Sequence, residues 1–159
     1  MAAMAVLLLA GGCGGDDSSA GADGGEVTVK TGSLSKAEFA KRADQLCEQA
    51  EGKFRSKYIA FVKANTKGSK NPNESKNIEK EIITTILVPN FQELVDQISS
   101  LGAPNDDKEE VTEFLTSLQR RLDELNEEPT GGLKNFTPFT KQVKLARAYG
   151  LTGCAESLD

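Results

Sequence analysis

Apolar side chains recur every three or four residues through most of the chain after position 33, which is the spacing of amphipathic helices. The first run follows Ser35 and Glu38, which have the spacing of a capping box, so we predict a helix starting at Ser35. Its apolar face repeats over about seven turns. The members of that face are Phe39, Ala43, Leu46, Cys47, Ala50, Phe54, Tyr58, Phe61 and Val62.

A second run begins near residue 71, ends at Leu101 and contains Pro89. Proline lacks a backbone donor and clashes with the preceding turn, so we predict a kink there, or two helices meeting at Val88. A third run opens at Asn105 and stops near Pro129.

The last run extends from Thr137 to Gly150. Four amphipathic helices joined by short connections predict an all-α fold over residues 33–159, arranged as an antiparallel bundle. The alternation of strand and helix patterns that marks an α/β domain is not found in the sequence.

The first thirteen residues end in Leu7-Leu8-Leu9-Ala10-Gly11-Gly12-Cys13, an apolar run closed by small residues and a cysteine. This stretch resembles the lipobox of bacterial lipoproteins. The helical part has one cysteine early in its first helix and ends in Tyr149-Gly150-Leu151-Thr152-Gly153-Cys154, and in this it is similar to small uncharacterised lipoproteins of Gram-positive bacteria. The resemblance implies a signal peptide at 1–12, a lipid on Cys13, and attachment to the extracytoplasmic face of the cell membrane. The alternatives are an ordinary secretory signal, or a disordered start in which the cysteine occurs by chance. Residues 1–5 carry no basic side chain, although signal peptides normally begin positively charged.

Residues 13–32 consist mainly of Gly, Ser, Asp and Ala after the cysteine. Such a composition buries too little apolar surface to offset the entropy of ordering the chain. We therefore predict a flexible tether between the anchor and the helical domain.

Two cysteines remain once Cys13 is assigned to the lipid. Because an even number of cysteines remains and the expected compartment is oxidising, we predict a disulfide between Cys47 and Cys154. The alternative is a reactive Cys47 resolved by Cys154, but the sequence offers neither a CxxC motif nor a histidine to activate the thiol.

The chain contains no histidine, which excludes Ser-His-Asp and Cys-His catalysis and the usual zinc sites. We predict no cofactor and no enzymatic activity. Two acidic clusters flank the third helix, and they leave open a weak cation site or a hydrolase that uses carboxylates alone. The clusters comprise Asp106, Asp107, Glu109, Glu110 and Glu113 at its start, and Asp123, Glu124, Glu127 and Glu128 at its end.

Charge is distributed unevenly along the chain. Residues 33–80 hold eleven basic and six acidic side chains, whereas residues 81–159 hold seven basic and fourteen acidic ones. The basic residues form a candidate patch for anionic lipid or an acidic envelope polymer. The alternative is that they pair with acids of neighbouring helices. The patch comprises Lys53, Arg55, Lys57, Lys63, Lys67 and Lys70.

Together these features predict a lipid-anchored, non-enzymatic binding or scaffolding module of the cell envelope. Its expected partners are the membrane, through Cys13, and an envelope protein or anionic polymer; nucleic acid is not expected. One alternative is a carrier of a small molecule or metal ion, which requires an apolar or acidic cavity between helices. The other is the carboxylate-only hydrolase, which requires two acids facing each other in a cleft.

Overall fold

The computed structural model of the chain describes residues 25–65, 72–130 and 138–159. Within these ranges the structure is helical and has no strands, which confirms the all-α class. It has more helices than the four predicted, because the second run is divided and a short helix follows the last one. The α-helices are α1 (Lys36–Asn65), α2 (Pro72–Ile82), α3 (Val88–Leu101), α4 (Lys108–Glu127), α5 (Thr140–Tyr149) and α6 (Thr152–Leu158).

The start of α1 is fixed by the predicted capping box. The Glu38 backbone N–H donates to the Ser35 hydroxyl oxygen at 3.3 Å, and the Ser35 backbone N–H donates to the Glu38 carboxylate at 3.1 Å. The Ser35 hydroxyl also donates to that carboxylate, and this hydrogen bond is the main reason that the pKa of Glu38 is lowered. Two N–H groups at the helix end thereby gain partners.

The interruption predicted near Pro89 is present as a π-helical segment, Ile83–Leu87, between α2 and α3. At its end the Val88 N–H donates to the carbonyl of Ile83, five residues earlier. Pro89 then lies in the first turn of α3. The wider turn relieves the clash that a proline ring makes with the carbonyl four residues before it in a regular α-helix.

The hydrophobic core lies between α1, α3, α4, α5 and α6. Helix α1 packs against α3 and α6, α3 packs against α4, and α5 packs against both α4 and α6. The fully buried residues of α1 end at Ala50, so the second half of this helix contributes only half-buried and exposed side chains. Of the helices that the structure describes, none is both long and apolar enough to cross a membrane.

The segment before α1 belongs to the packed domain from residue 25 onward. Val29 is only 1% exposed and lies in the core. The Ala103 N–H donates to the Lys30 carbonyl at 2.9 Å, and the Gly32 N–H donates to the Ala103 carbonyl at 2.7 Å. The prediction that the flexible tether extends to residue 32 is therefore wrong for 25–32, while 13–24 lie outside the described residues.

Two features of this segment explain its packing. Val27 and Val29 alternate with a threonine, so both side chains turn toward the helices, and the Val27 N–H donates to the hydroxyl of Thr116 in α4 at 3.2 Å. A Cβ atom on Gly32 would come within 2.7 Å of the Gly102 carbonyl oxygen. Only glycine permits this close approach of the two backbones.

Candidate functional site

A pocket of about 350 Å³ opens beside the second half of α1. Its other walls come from the junction of the π segment with α3, from the residues just before α5, and from the end of α6. We call it the aromatic pocket, because Phe54, Tyr58, Phe91 and Phe139 all line it. The remaining lining residues are Glu51, Arg55, Leu87, Pro138, Glu156, Ser157, Leu158 and Asp159.

The four rings form a continuous row. Phe54 and Tyr58 are one turn apart on α1 and stack, with centroids 5.9 Å apart and an interplanar angle of 26°. The centroid of Phe54 lies 6.0 Å from that of Phe91, which lies 5.1 Å from that of Phe139. Phe91 and Phe139 are buried at the inner end of the row, whereas Phe54 and Tyr58 are half-buried at the outer end.

Charged groups surround the opening of the pocket. Arg55 pairs with Glu51 one turn earlier on α1, and Arg147 pairs with Asp159 at 3.1 Å. Glu156 is exposed, and among the described residues no basic side chain forms an ion pair with it. The pocket is therefore an apolar, aromatic slot with a predominantly acidic edge.

The predicted disulfide between Cys47 and Cys154 is confirmed. The two Cα atoms are 4.9 Å apart, the cysteines are separated by 107 positions, and both are fully buried. The bond joins α6 to α1, and the Asp44 carboxylate supports it by accepting the backbone N–H of Cys154 at 2.9 Å. Because α6 supplies part of the pocket wall, the disulfide also fixes that wall against α1.

The structure places four of the six predicted patch residues on α1; Lys67 and Lys70 lie outside the described residues. Lys53 pairs with Glu93 of α3 at 2.6 Å, and Arg55 pairs with Glu51. Lys53 lowers the pKa of Glu93 through its hydrogen bond and its charge, and the charge of Lys57 adds to this shift. Lys53 and Arg55 therefore pair with acids on α3 and on α1 itself.

The two acidic clusters predicted at the ends of the third helix lie at the ends of α4, and none of their residues lines the aromatic pocket. In the first, Asp107 binds the Lys36 ammonium and accepts the Tyr149 hydroxyl, both at 3.1 Å. In the second, Asp123 accepts the side-chain amide of Gln119 at 2.9 Å. Over the part of the chain that the structure describes, no group of three or more His, Cys, Asp or Glu residues is arranged to hold a metal ion.

Sequence reasoning missed the pocket because its rings follow the same periodicity as core residues. One signal was present in the sequence. Phe54, Phe91 and Phe139 each lie within two residues of a helix-disturbing position, namely Gly52, Pro89 and Pro138. Pro89 and Pro138 lie near the starts of α3 and α5, whereas α1 continues unbroken through Gly52, so the signal coincides with a change of helix only for Phe91 and Phe139.

Comparison with known proteins does not assign the chain to a family. No family model matches it, and searches of curated proteins and of solved structures gave no match either. The functional conclusion therefore depends on the geometry of the pocket and on the resemblance of the leader to a lipobox.

Proposed function

We propose that the protein is a lipid-anchored, non-enzymatic binding module of the bacterial cell envelope, with the aromatic pocket as its ligand site. It is attached to the extracytoplasmic face of the membrane through lipid on Cys13. The helices form an antiparallel bundle whose incomplete side leaves the pocket open. The observation that supports the binding role is the row of four contacting rings beside an open cavity.

The size and lining of the pocket favour a small molecule among the candidate ligands. Its volume of about 350 Å³ lies in the range of small-molecule sites, which are usually apolar with a few polar groups at the edge. Such a cavity between helices is what a carrier requires and what a solidly packed bundle lacks. None of the acids in the two clusters near α4 lines it, so the pocket gives no support to a hydrolase built on those clusters.

The anchor and the packed segment together set how far the domain lies from the bilayer. Because residues 25–32 pack against the helices, we propose a tether after Cys13 that extends no further than residues 14–24. A Gly-rich chain of this length has a root-mean-square reach of roughly 18 Å. The pocket is therefore held close to the membrane surface, where it meets ligands that are present in the membrane or the adjoining envelope.

A neutral fluorescent probe tests the pocket without assuming a charge on the ligand. We expect N-phenyl-1-naphthylamine to bind the full chain saturably, and Phe54→Ala to weaken that binding about tenfold through loss of ring contact. Leu46→Ala is the matched control, because Leu46 is a half-buried apolar residue of α1 that does not line the pocket. Absence of saturable binding, or equal affinity in all three proteins, would refute the pocket as a ligand site.

The anchor is tested separately in a Gram-positive host. We expect the wild-type chain to partition into the detergent phase of Triton X-114 and to incorporate labelled palmitate. The Cys13→Ser variant should do neither. A wild-type protein recovered in the aqueous phase without label would refute the lipid attachment and leave the result for the pocket unaffected.

A further inference from the structure

We infer that the ligand of the aromatic pocket is a hydrophobic organic cation, meaning a protonated or quaternary amine on an apolar body. This inference rests on the proposed binding function and adds the chemical class of the ligand. It depends on two independent properties of the pocket, the rings and the charge of its edge.

The rings supply the first argument. The face of an aromatic ring carries partial negative charge, so a cation within about 6 Å of the centroid is attracted to it. Phe54 and Tyr58 stack nearly parallel and are half-buried, at the outer end of the row. Phe91 and Phe139 are buried behind them and provide apolar contact. This arrangement suits an apolar body at the inner end and a cationic group at the outer end.

The edge supplies the second argument. Three carboxylates line the pocket, those of Glu51, Glu156 and Asp159, against the single guanidinium of Arg55. If the Arg147 that pairs with Asp159 from outside is also counted, three acids still face two bases. The charge of the edge therefore attracts a cation and repels an anion.

The ion pairs already present do not block such a ligand. The side chain of Arg55 is 70% exposed, and those of Arg147 and Asp159 are 59% exposed. Exposed ion pairs contribute little and exchange readily with solvent. Glu156 can contact a cationic ligand without breaking an ion pair, because no basic side chain of the described residues pairs with it. Glu156 is therefore the residue that we expect to discriminate by charge.

Three ligands with the same phenylalkyl body test the inference by calorimetry on the full chain carrying Cys13→Ser. They end in a trimethylammonium group, in its neutral tert-butyl isostere, or in a sulfonate. We expect the ammonium ligand to bind about five- to tenfold more tightly than the isostere, which corresponds to one favourable cation–π contact plus one carboxylate. The sulfonate should bind most weakly.

Two variants test whether the preference for the ammonium ligand over its isostere arises in the pocket. Glu156→Gln should weaken ammonium binding about threefold and leave the neutral isostere unchanged. Glu113→Gln makes the same charge change at an exposed position of α4 outside the pocket, and it should affect neither ligand. Both positions are exposed, so the substitutions preserve the fold, and far-UV circular dichroism checks this.

The outcomes separate this inference from the proposed function. If the ammonium ligand and its isostere bind equally well, the cation assignment is overturned while the binding function stands. The same conclusion follows if the sulfonate binds most tightly. If no ligand and no neutral probe binds, both the ligand class and the binding function are overturned.

Discussion

Removal of the Cys47–Cys154 disulfide should lower the free energy of unfolding by about 5 kcal/mol. The bond joins residues 107 positions apart. In the chain-entropy model, a loop of this length restricts the unfolded chain by about 4.8 kcal/mol at 25 °C. Small domains are typically stable by about 5 to 15 kcal/mol, so this one bond is a large part of the total.

The contacts that remain in the folded state determine which helix is destabilised most when the disulfide is removed. After Cys47→Ala and Cys154→Ala, helix α6 keeps two buried leucines, Leu151 before it and Leu158 at its end. It also keeps the hydrogen bond from the backbone N–H of residue 154 to Asp44. We therefore expect the double variant to fold, with α6 as the first element to open and with weaker binding in the pocket whose wall α6 forms.

Urea unfolding followed by circular dichroism measures this effect. We expect the midpoint of the double alanine variant to fall by about 2 M or more, given a denaturant slope of about 1 to 3 kcal/mol/M. Reductant should lower the wild-type midpoint by a similar amount and leave the variant unchanged. Equal midpoints for oxidised and reduced wild-type protein would refute the argument, and so would faster hydrogen exchange throughout the core with none confined to α6.

Two further predictions concern other contacts. Burial, and to a smaller extent the hydrogen bond to Asp107, raises the pKa of Tyr149. The Tyr58→Phe variant leaves Tyr149 as the only tyrosine, so absorbance at 295 nm reports its ionisation alone. We expect the folded variant to show no ionisation at pH 10, the ordinary pKa of tyrosine. The resulting stabilisation is present below that pH and is lost as the pH rises further, so ionisation of folded protein at pH 10 would contradict it. Gly102→Ala should lower stability by about 1 to 3 kcal/mol, because φ is +70° and a Cβ would come within 2.7 Å of the N-terminal backbone. Gly52→Ala is the control, since a Cβ meets nothing within 4 Å there, and thermal unfolding should show it unchanged or up to about 1 kcal/mol more stable.

The disulfide was predicted from the number of cysteines, but the other features predicted correctly from sequence depend on interactions between near neighbours. Ser35 and Glu38 are three positions apart, and they form the same hydrogen bonds wherever a helix begins. Pro89 disturbs its helix through the clash with its own preceding turn. By contrast, α6 was not predicted. Gly150 ends α5, and the seven residues of α6 are too short a helix to be stable without tertiary contacts.

Sequence reasoning missed the candidate site for a related reason. Periodicity reports which face of a helix is apolar, but it does not report whether another helix covers that face. Phe39 and Phe54 belong to the same apolar face of α1, yet Phe39 is fully buried while Phe54 lines the pocket. The difference arises from where the partner helices end, and that depends on the whole fold.

The N-terminal segment provides a direct test of how much of the tether is structured. A chain that begins at residue 25 should be as stable as the full protein, whereas one that begins at residue 33 should lose roughly 2 to 4 kcal/mol. The larger deletion removes Val29 from the core, which costs about 1.5 to 3 kcal/mol. It also leaves the N–H of Ala103, a fully buried residue, without its acceptor. This costs about 1 to 3 kcal/mol, reduced by any hydrogen bond that the N–H forms with water in the shortened protein. Urea midpoints of the two truncated proteins measure the difference, and equal midpoints would mean that residues 25–32 belong to the tether and that the pocket lies farther from its anchor than proposed.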